Sequence, residues 1–501
     1  MYSWFRARKF DVRERILEAL GLSADKLTFI DHHDAHMAAA FFCSDFDRAT
    51  IVTIDGVGEY DTATWGVGDG TGLSRRATVR LPHSLGLFYS AMTAFLGFEV
   101  NEGEYKVMGM AGFGKPTQVD TFRSLFSLHD DGTFTLDQDW FNFLTPREVP
   151  YRPAMLERLG PPRRPEAPFA TLREDLPEGV SEAEASAILE ESRHYADIAA
   201  SVQKCAEEVI LHMVNRAVAH TGIRNVCLAG GVALNSLANG RLIREQGLRL
   251  YVQPAAGDAG SALGAALYWT HVIQGAPRAP ALTSAYLGRA FDETAVASAV
   301  RDSGFQNIEV CPDEDTLVER VATLLAQGSV IGWFQGRAEW GPRALGHRSI
   351  LADPTSPRMK RIVNERIKFR EPFRPFAPVV PLEAVHDYFE CEPIVGDVRP
   401  EFFMLAVHPV REEKRSILPA ITHVDNTARV QVVTPSSNPL FHRLLRAFEK
   451  HRGVPVLLNT SFNLRGEPVV DSPADALKTF ALSGLDYVVL HNTIVDRKIT
   501  L

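Results

Sequence analysis

Apolar positions near the start of the chain follow patterns typical of strands and of one helix. The run LTFI at 27–30 predicts a short strand that enters an alanine-rich helix, and further apolar runs follow at 49–56 and 62–70. Gly and Asp separate these last two runs, and both residue types favour tight turns. This part of the chain therefore predicts a helix that leads into a hairpin.

From Tyr195 onwards the chain has the periodicity of a core helix. Apolar residues recur every three or four positions, and Gly222 follows them where a glycine is a typical helix stop. The apolar positions are Ile198, Val202, Cys205, Val209 and Met213. We predict one buried helix that ends at Gly222.

Residues 225–269 then alternate twice between a strand, a glycine turn and a helix. The strands are NVCLAGG at 225–231 and LRLYVQP at 248–254, and the helices begin with NSLANG at 235 and GDAGSALG at 257. Such alternation predicts an α/β fold with a mainly parallel sheet and a ligand site at the glycine turns.

Three segments mark the organisation of the chain. Residues 145–168 carry seven prolines and predict an extended surface loop, and the acidic stretch that follows to about residue 190 predicts a solvated helix face. Residues 275–290 read as a linker, and a second αβ block begins near Asp292. We therefore predict two domains, 1–280 and 281–501, as the length of 501 residues also favours.

Composition limits the classes of function. The formal charge is −9, from 53 basic and 62 acidic residues, so the composition does not indicate a surface that binds nucleic acid or anionic lipid. An anionic ligand must then be held by a local basic cluster. The hydrophobic content of 45% is enough for substantial cores.

Cysteines and apolar runs bear on the compartment. The five cysteines, at 43, 205, 227, 311 and 391, show no CxxC spacing and predict reduced, mostly buried thiols. No apolar run reaches about 18 residues, and the start MYSWFRARKFDVRERI lacks the apolar region of a signal peptide. We expect a cytoplasmic protein without membrane or nucleic-acid partners, and a homodimer is one assembly state that we leave open.

Four residues form a candidate metal site. His32 and His36 are four apart, so a helix places both rings on one face. A pair of this kind is also common in purely structural roles. Asp55 closes the next strand and Asp258 opens a glycine turn. Two imidazoles and two carboxylates suit a divalent transition metal with positions left for a substrate oxygen.

The two glycine turns are candidate nucleotide contacts. Gly230, Gly231 and Asn235 lie where a strand turns into a helix, and Gly257 lies one strand and helix later. Glycine lets a backbone approach phosphate at a helix N-terminus, so two such turns predict loops that face one nucleotide. A packing turn of an ordinary α/β protein is the alternative.

A basic segment lies between Trp333 and Arg374. It holds ten Lys or Arg and four Asp or Glu, with Arg337, Arg343 and Lys368 beside Gly, Pro or Phe. Arginines held on shaped loops can grip phosphate bidentately, whereas a solvated basic face seldom contains so many Gly, Pro and Phe. The short extent of the segment argues against RNA and for a small polyanion such as ATP or an acyl phosphate.

Two downstream turns contain polar groups that carry no role by themselves. They are DNTAR at 425–429 and LLNTSFN at 457–463, which contain Arg429, Ser461 and Asn463.

Nine motifs together resemble those of carbamoyltransferases that act on nodulation factors and on cephamycin, aminoglycoside and ansamycin antibiotics. The resemblance runs nearly end to end, and GPRALGHRSI with KFREPFRPFAP is its most specific part. In chain order the motifs are HHDAH, TIDGVGE, SLGLFYSAMTAFLGF, NEGEYKVMGMAGFG, GGVALN, GDAGSALG, GRAEWGPRALGHRSILADP, KFREPFRPFAP and LLNTSFN.

The resemblance implies a fold and a two-step reaction. The first domain is expected to be of the actin/sugar-kinase (ASKHA) type, similar to tRNA threonylcarbamoyl transferase, and the second to be YrdC-like. Carbamoyl phosphate and ATP, with Mg²⁺, then give carbamoyl-adenylate in the second domain. A metal, iron in the family, assists transfer to a hydroxyl of a small-molecule acceptor in the first domain, and AMP is released.

The resemblance also implies residue roles. Metal ligands are expected at His32, His36, Asp55 and Asp258, and substrate or nucleotide contacts at Arg337, Arg343, Lys368, Arg374, Arg429, Ser461, Asn463, Gly230, Gly231, Asn235 and Gly257. Catalytic roles are expected for His36, Arg343, Lys368 and Arg374.

One departure from the family concerns the start of the chain. Relatives of this type are expected to carry an opening hairpin before the HHxxH motif, whereas His32 is already residue 32 here. We therefore expect the chain to begin partway into the first domain. This departure leaves a catalytically silent nucleotide- and metal-binding scaffold as one alternative, and tRNA modification is another.

Overall fold

A computed structural model describes residues 11–144, 149–177, 179–396 and 398–497. The two ends of the chain, which belong to the two predicted domains, and the start of the predicted loop 145–168 therefore lie partly outside the described residues. Residues 1–10, 145–148, 178, 397 and 498–501 lie outside them.

The N-terminal half consists of helices packed around a mixed sheet. Its helices are α1 (Val12–Leu20), α2 (His32–Cys43), α3 (Leu85–Phe95), α4 (Glu104–Ala111), α5 (Val119–Arg123), α6 (Pro153–Leu159), α7 (Glu182–Thr221), α8 (Ser236–Gln246) and α9 (Asp258–Leu267). Its strands are β1 (Arg48–Gly58), β2 (Asp61–Asp69), β3 (Gly72–Arg80), β4 (Phe126–Leu128), β5 (Phe134–Leu136), β6 (Asn225–Ala229) and β7 (Arg249–Val252). Short 3₁₀ turns lie at Ala24–Lys26, Arg173–Asp175 and Gly231–Leu234, and a π-helical turn lies at Tyr268–Ile273.

The predicted helix and hairpin near the start are confirmed. Helix α2 begins at His32 because the side chain of Asp31 accepts the N–H of His33, and strands β1 and β2 pair antiparallel. The strand predicted at 27–30 is wrong, and Phe29 is 59% exposed. A four-residue run forms a strand only when it pairs with a strand edge, and residues 27–30 pair with no strand of the sheet that contains β1.

The predicted core helix is confirmed as α7. A capping box of Ser181 and Glu184 starts it, and Gly222 ends it in the left-handed region at φ 68°. Its first turns are mostly exposed, as predicted for the acidic stretch. The loop predicted over 145–168 is interrupted by α6, because Pro153 occupies the first turn of a helix, where its missing N–H costs nothing.

The central sheet of the N-terminal half is more mixed than predicted. Its order is β3-β2-β1-β6-β7. Strands β1, β6 and β7 are parallel, whereas β1, β2 and β3 form antiparallel pairs. The parallel pairing predicted from residues 225–269 is confirmed, but the sheet as a whole is not mainly parallel, because the predicted hairpin belongs to it and tight turns can connect only antiparallel neighbours.

The strands of the C-terminal half are β8 (Ile308–Val310), β9 (Ile331–Phe334), β10 (Arg348–Ala352), β11 (Ala377–Pro381), β12 (Val407–Pro409), β13 (Thr427–Arg429), β14 (Gln431–Val433), β15 (Leu457–Ser461), β16 (Tyr487–Leu490) and β17 (Thr493–Asp496). Eight of them form one sheet of order β14-β11-β15-β10-β9-β16-β17-β8, and β12 pairs separately with β13. The helices of this half are α10 (Glu293–Asp302), α11 (Glu314–Ala326), α12 (Met359–Ile362), α13 (Val385–Tyr388), α14 (Glu412–Arg415), α15 (Pro439–Arg452) and α16 (Pro473–Leu482). A π-helical turn follows α12 at Val363–Lys368, and 3₁₀ turns lie at Leu382–Ala384 and Pro400–Phe403.

The segment predicted as a linker has no regular secondary structure, yet it packs firmly on the N-terminal half. The guanidinium of Arg278 donates to the carbonyl oxygens of Phe41 and Ser44 at 2.9 and 3.1 Å, and the N–H of Leu282 donates to the carbonyl of Cys43 at 2.9 Å. The segment is therefore held in place along its length.

Two predictions from composition can be compared with the structure. All five cysteines are free thiols and four of them are buried, as predicted. Among the described residues, no helix combines the length and the apolar character needed to cross a bilayer.

Candidate functional site

The four predicted metal ligands come together in the N-terminal half. His32 and His36 project from the same face of α2, Asp55 lies towards the end of β1, and Asp258 is the first residue of α9. One donor atom from each lies within 4.8 Å of the other three. The fold thus unites residues from three elements that are distant in the sequence.

We call these four residues the metal cluster, and their donor atoms converge on one point. The Nε2 atoms of His32 and His36 lie 3.0 Å apart, and they lie 3.1 and 3.0 Å from Oδ2 of Asp55. Oδ1 of Asp258 lies 3.5 and 3.7 Å from the same two nitrogens. Two imidazoles and two carboxylates are a donor set that fits a divalent transition metal. The side chain of Asp258 is 77% exposed, so the cluster has an open side for a substrate oxygen.

Backbone amides orient the carboxylate of Asp55. Its Oδ1 accepts the N–H of Gly56 at 2.8 Å and the N–H of Gly231 at 3.2 Å, which leaves Oδ2 to face the histidines. Gly230 has φ 87°, and a Cβ there would lie 2.2 Å from the carbonyl oxygen of Ile54. Only glycine allows this close approach, so the turn and the metal cluster depend on each other.

The charges of the metal cluster favour the binding of a cation. Against the effect of burial, hydrogen bonds from His32 and His36 and the N–H of Gly56 lower the pKa of Asp55. Burial opposes ionisation of His36 as well, but the carboxylates of Asp258 and Asp55 raise its pKa. Asp55 is therefore ionised at any ordinary pH. A metal ion bound by the histidines and carboxylates can take the place of the proton that they otherwise share.

Neighbouring carboxylates of the DHHDAH segment are occupied elsewhere. Arg75 on β3 contacts Asp31, donates through Nε to Asp34 at 2.6 Å and donates through Nη1 to Asp61 at 2.8 Å. His33 is buried with Nδ1 2.7 Å from the hydroxyl of Thr53, and burial lowers its pKa to about 4. These contacts explain why the other acidic and histidine side chains of the segment do not join the cluster.

The residues predicted at the glycine turns lie beside the metal cluster. The N–H of Gly230 donates to the carbonyl of Ala256 at 2.8 Å, so the two turns are adjacent. Asn235 caps α8 by accepting the N–H of Ala238 at 3.2 Å, and it pairs with the side chain of Gln203. Gly257 directly precedes α9. Among the described residues, none of Gly230, Gly231, Asn235 and Gly257 lines the cavity described next.

A cavity of about 900 Å³ lies between the two halves of the molecule. It holds a surplus of cationic side chains, and we call it the cationic cavity. Its basic lining residues are Lys106, Arg163, Arg343, Lys360, Lys368, Arg370, Arg374, Arg429 and Arg465, and its acidic ones are Glu99, Glu102, Glu166, Glu371, Asp425 and Glu467. Nine cations against six carboxylates, in a chain of net charge −9, fit a polyanionic ligand.

Lys368 is the best-buried of these cations and holds the loop that follows β15. Its side chain donates to the carbonyl oxygens of Ser461 and Asn463 at 2.9 Å each, and to the side chains of the same two residues at 3.2 and 2.5 Å. Burial, with the charges of Arg370 and Arg374, lowers the pKa of Lys368. Lys368 therefore fixes Ser461 and Asn463 at the wall of the cavity.

Four arginines of the cavity repel one another. Burial lowers the pKa of Arg343 to about 10, and burial with the charges of Arg343, Arg370 and Arg374 lowers the pKa of Arg429. The buried Nε atoms of Arg343 and Arg429 have no hydrogen-bond partner within the described part of the chain. Buried donors of this kind are costly unless a ligand satisfies them, so an anion bound here would remove the repulsion.

One predicted contact lies elsewhere, and several lining residues were not predicted. Arg337 is exposed, donates to the carbonyl of Leu287 at 2.8 Å and does not line the cationic cavity. Lys106, Lys360 and Arg370 do line it. Lys106 and Arg370 lie within the motifs NEGEYKVMGMAGFG and KFREPFRPFAP, which offered a signal that composition alone did not.

Comparison with known proteins gives matches along most of the chain. The family model described as Carbamoyltransferase N-terminus matches residues 12–267, and the one described as Carbamoyltransferase C-terminus matches residues 322–497.

Two curated relatives align over nearly the whole chain. The uncharacterised protein sll1178 of Synechocystis sp. is 42% identical over 525 residues, which cover 99% of this chain and 82% of that protein. Nodulation protein NolNO of Sinorhizobium fredii is 38% identical over 505 residues, which cover 98% of this chain and 67% of that protein.

Among solved structures, full-length HypF in its phosphate- and nucleotide-bound form is similar over 50% of this chain and 45% of that chain, at 17% identity and a TM-score of 0.26. A score this low supports no conclusion.

Proposed function

Because the chain belongs to the carbamoyltransferase family and is therefore a transferase, we propose that it is an ATP-dependent O-carbamoyltransferase that works in two steps. The first step makes carbamoyl-adenylate in the C-terminal half, and the second transfers the carbamoyl group in the N-terminal half. Residues 1–280 would form an ASKHA-type domain and residues 281–501 a YrdC-like domain. The acceptor would be the hydroxyl of a small molecule of the sugar, antibiotic or nodulation-factor type.

The observation that carries the proposal is the cationic cavity. Carbamoyl phosphate and ATP together bring several negative charges, and these must be brought close to one another for reaction. Arg343, Arg374 and Arg429 would contact the phosphate groups, and Lys368 would hold Ser461 and Asn463 against the substrates. The repulsion among the arginines in the free protein is what a bound polyanion would relieve.

The first step would combine the hydrolysis of carbamoyl phosphate with the adenylation of the resulting carbamate. Water releases carbamate and inorganic phosphate from carbamoyl phosphate, and a carbamate oxygen bonds to the α-phosphorus of ATP, which enters as its Mg²⁺ complex. The bond from that phosphorus to the β-bridging oxygen breaks, and pyrophosphate leaves with the electron pair. The arginines would stabilise the charge that develops on the transferring phosphoryl oxygens.

The second step is assigned to the metal cluster. His32, His36, Asp55 and Asp258 would hold Fe²⁺ or a similar divalent cation, which when bound supplies a Lewis acid for the carbonyl or the acceptor hydroxyl. The amides of Gly56 and Gly231 keep Asp55 aimed at the cluster. The acceptor oxygen bonds to the carbonyl carbon and its hydroxyl proton passes to solvent, while AMP leaves with the electrons of the broken C–O bond.

The glycine turns would face the nucleotide part of the intermediate in this second step. Gly230 and Gly257 lie on adjacent turns beside Asp55 and Asp258, where a phosphate could approach the backbone. The same position is consistent with the ligand-binding edge of parallel strands in α/β proteins.

A direct assay tests the proposal. The purified protein is incubated with carbamoyl phosphate, ATP and Mg²⁺, and pyrophosphate and AMP are measured with and without carbamoyl phosphate. We expect pyrophosphate release that requires both substrates. A nucleotide- and metal-binding scaffold would release neither product, and that result would overturn the proposal.

A substitution in the metal cluster tests the division into two steps. Asp55→Asn removes a ligand charge, so metal content should fall by about tenfold or more, while pyrophosphate release stays within about twofold of the unchanged protein. His36→Ala should behave in the same way. Asp69→Asn, at an exposed residue of β2, is the control for loss of an aspartate charge. Loss of pyrophosphate release in Asp55→Asn would contradict the assignment of the steps to separate sites.

A further inference from the structure

Helix α4 of the N-terminal half forms part of the wall of the cationic cavity and contacts the C-terminal half there. The side chain of Lys106 donates to Oε1 of Glu371 at 3.0 Å, and these two side chains are 17% and 20% exposed. The residues are 265 positions apart in the sequence. The ion pair therefore joins the two halves at the cavity wall, in a partly desolvated position where charge interactions are stronger than at the surface.

The other oxygen of Glu371 faces Arg374. Nη1 of Arg374 lies 3.7 Å from Oε2 of Glu371, which is beyond hydrogen-bonding distance. That oxygen is buried and accepts no hydrogen bond from the described residues. Glu371 thus stands between two cations, bonded to Lys106 and only close to Arg374.

The ring of Tyr105, the neighbour of Lys106 on α4, lies against Arg374 from another side. The guanidinium carbon of Arg374 is 4.7 Å from the ring centroid. This is within the range of a cation–π contact, and stacking fixes the plane of a guanidinium without consuming its donors. Helix α4 therefore acts on Arg374 in two ways. Tyr105 contacts it directly, and Lys106 holds Glu371, which faces it.

We propose that Lys106 and Tyr105 are positioning residues that keep the guanidinium of Arg374 available to an anionic ligand. Lys106 holds Glu371 by a hydrogen bond and so prevents this carboxylate from closing onto Arg374. Tyr105 fixes the orientation of the guanidinium. The inference rests on the proposed function for the identity of the substrates, and it means that the N-terminal half completes the adenylate-forming site.

A suppressor experiment separates this role from direct ligand contact. In Lys106→Met, Glu371 is free to pair with Arg374, so the kcat/KM of pyrophosphate release for carbamoyl phosphate should fall by about 10- to 100-fold. Adding Glu371→Gln removes the competing charge, so the double variant should recover to within about threefold of Glu371→Gln alone. Lys106→Arg should retain most activity, because it keeps a cation beside Glu371.

The outcomes that overturn the inference are distinct. If Lys106 contacts the ligand itself, Glu371→Gln will not rescue Lys106→Met. If Lys106 only supports stability, Lys106→Met will lower the unfolding temperature and leave kcat/KM unchanged. Asp45→Asn is the matched control, because Asp45 pairs with Arg399 at 2.6 Å between the two halves and neither residue lines the cavity. It should change stability without changing kcat/KM.

The contribution of the ring is tested separately. Tyr105→Phe keeps the aromatic face and should retain activity, whereas Tyr105→Leu should lower kcat/KM by about 3- to 30-fold, the range of a partly desolvated cation–π contact. Equal activity of Tyr105→Phe and Tyr105→Leu would overturn the role of the ring.

Failure of the proposed function would be visible independently. If the unchanged protein releases no pyrophosphate, the proposed reaction is wrong, and the binding of inorganic pyrophosphate by calorimetry then provides the readout. The inference predicts the same order of affinities, with weaker binding by Lys106→Met and recovery in the double variant. Absence of that recovery overturns it.

Discussion

At the scale of single residues, the charge pattern of the cationic cavity works against stability. Arg343 and Arg429 are held with unsatisfied buried Nε atoms and with other arginines as neighbours. Buried arginines that lack hydrogen-bond partners and repel one another do not stabilise the free protein. They are therefore expected at sites that bind a charged ligand. The cavity is therefore best understood as preorganised for an anion.

Arg374 offers the sharpest test at this scale. It follows Glu371, Pro372 and Phe373, and its guanidinium carbon lies 4.7 Å from the ring centroid of Tyr105. Lysine keeps the charge but loses both the planar fork and the stacking face, so Arg374→Lys should behave as a damaging substitution. We expect a loss of about 2 to 4 kcal/mol in transition-state stabilisation, or roughly 30- to 1000-fold in carbamoyl-adenylate formation.

The measurement for Arg374→Lys is pyrophosphate release with carbamoyl phosphate and ATP, alongside the unfolding temperature. Arg374→Ala is made in parallel. If Arg374 were only a structural partner, lysine would restore near-normal turnover and alanine would mainly lower the unfolding temperature. Near-normal turnover in Arg374→Lys would therefore remove the phosphate-binding role.

At the scale of elements, the metal cluster depends on how closely two helices approach. Helix α2 carries both histidines and α9 begins with Asp258. A Cβ on Gly264 of α9 would lie 1.9 Å from the carbonyl oxygen of Ala35 on α2. The helices can therefore reach their present separation only because position 264 is a glycine.

Gly264→Ala should loosen the metal cluster without removing a ligand. The added methyl forces α9 away from α2, so Asp258 should move from the histidines, and metal affinity should fall by about tenfold. Overpacking should also lower the free energy of unfolding by about 1 to 3 kcal/mol. Calorimetric titration with Fe²⁺ or Co²⁺ and chemical denaturation measure the two effects.

Ala262→Ser is the control for Gly264→Ala, because residue 262 is exposed on the same helix. It should leave both metal affinity and stability nearly unchanged. Unchanged metal affinity in Gly264→Ala would show that the position of Asp258 does not depend on this helix contact.

At the scale of the whole molecule, the cationic cavity is shared by the two halves. Its lining combines residues from within 97–113, 163–167 and 236–237 of the first half with residues from within 342–469 of the second. A ligand that binds there contacts both halves, so binding should stabilise the folded molecule as a unit.

ATP or inorganic pyrophosphate should therefore raise the unfolding temperature. At a concentration of 100 Kd the stabilisation is about 2.7 kcal/mol. Arg429→Met removes one buried repulsive charge, so without ligand its unfolding temperature should rise by about 1 to 3 °C, while most of the ligand-dependent increase should disappear. Thermal unfolding with and without pyrophosphate measures both. A lower unfolding temperature of free Arg429→Met would contradict the view that repulsion dominates at this arginine.

Local features of the molecule could be predicted because they depend on neighbours in the sequence. The periodicity from Tyr195 and the stop at Gly222 specify α7, since each turn of a helix involves residues three or four apart. The spacing of His32 and His36 specifies one face of α2 for the same reason. The run at 27–30 failed as a strand, because pairing requires an edge that only the rest of the sheet can supply.

The sequence by itself determined helices α2 and α7, the chemical types at the metal cluster and the basic segment that supplies five of the nine cations of the cavity. Only the tertiary structure decided that Arg75 occupies Asp31 and Asp34 and leaves Asp55 to face the histidines. It alone placed Lys106 against Glu371. The physical reason is that such contacts join side chains from distant segments, and their distances depend on how sheets and helices pack rather than on any local pattern.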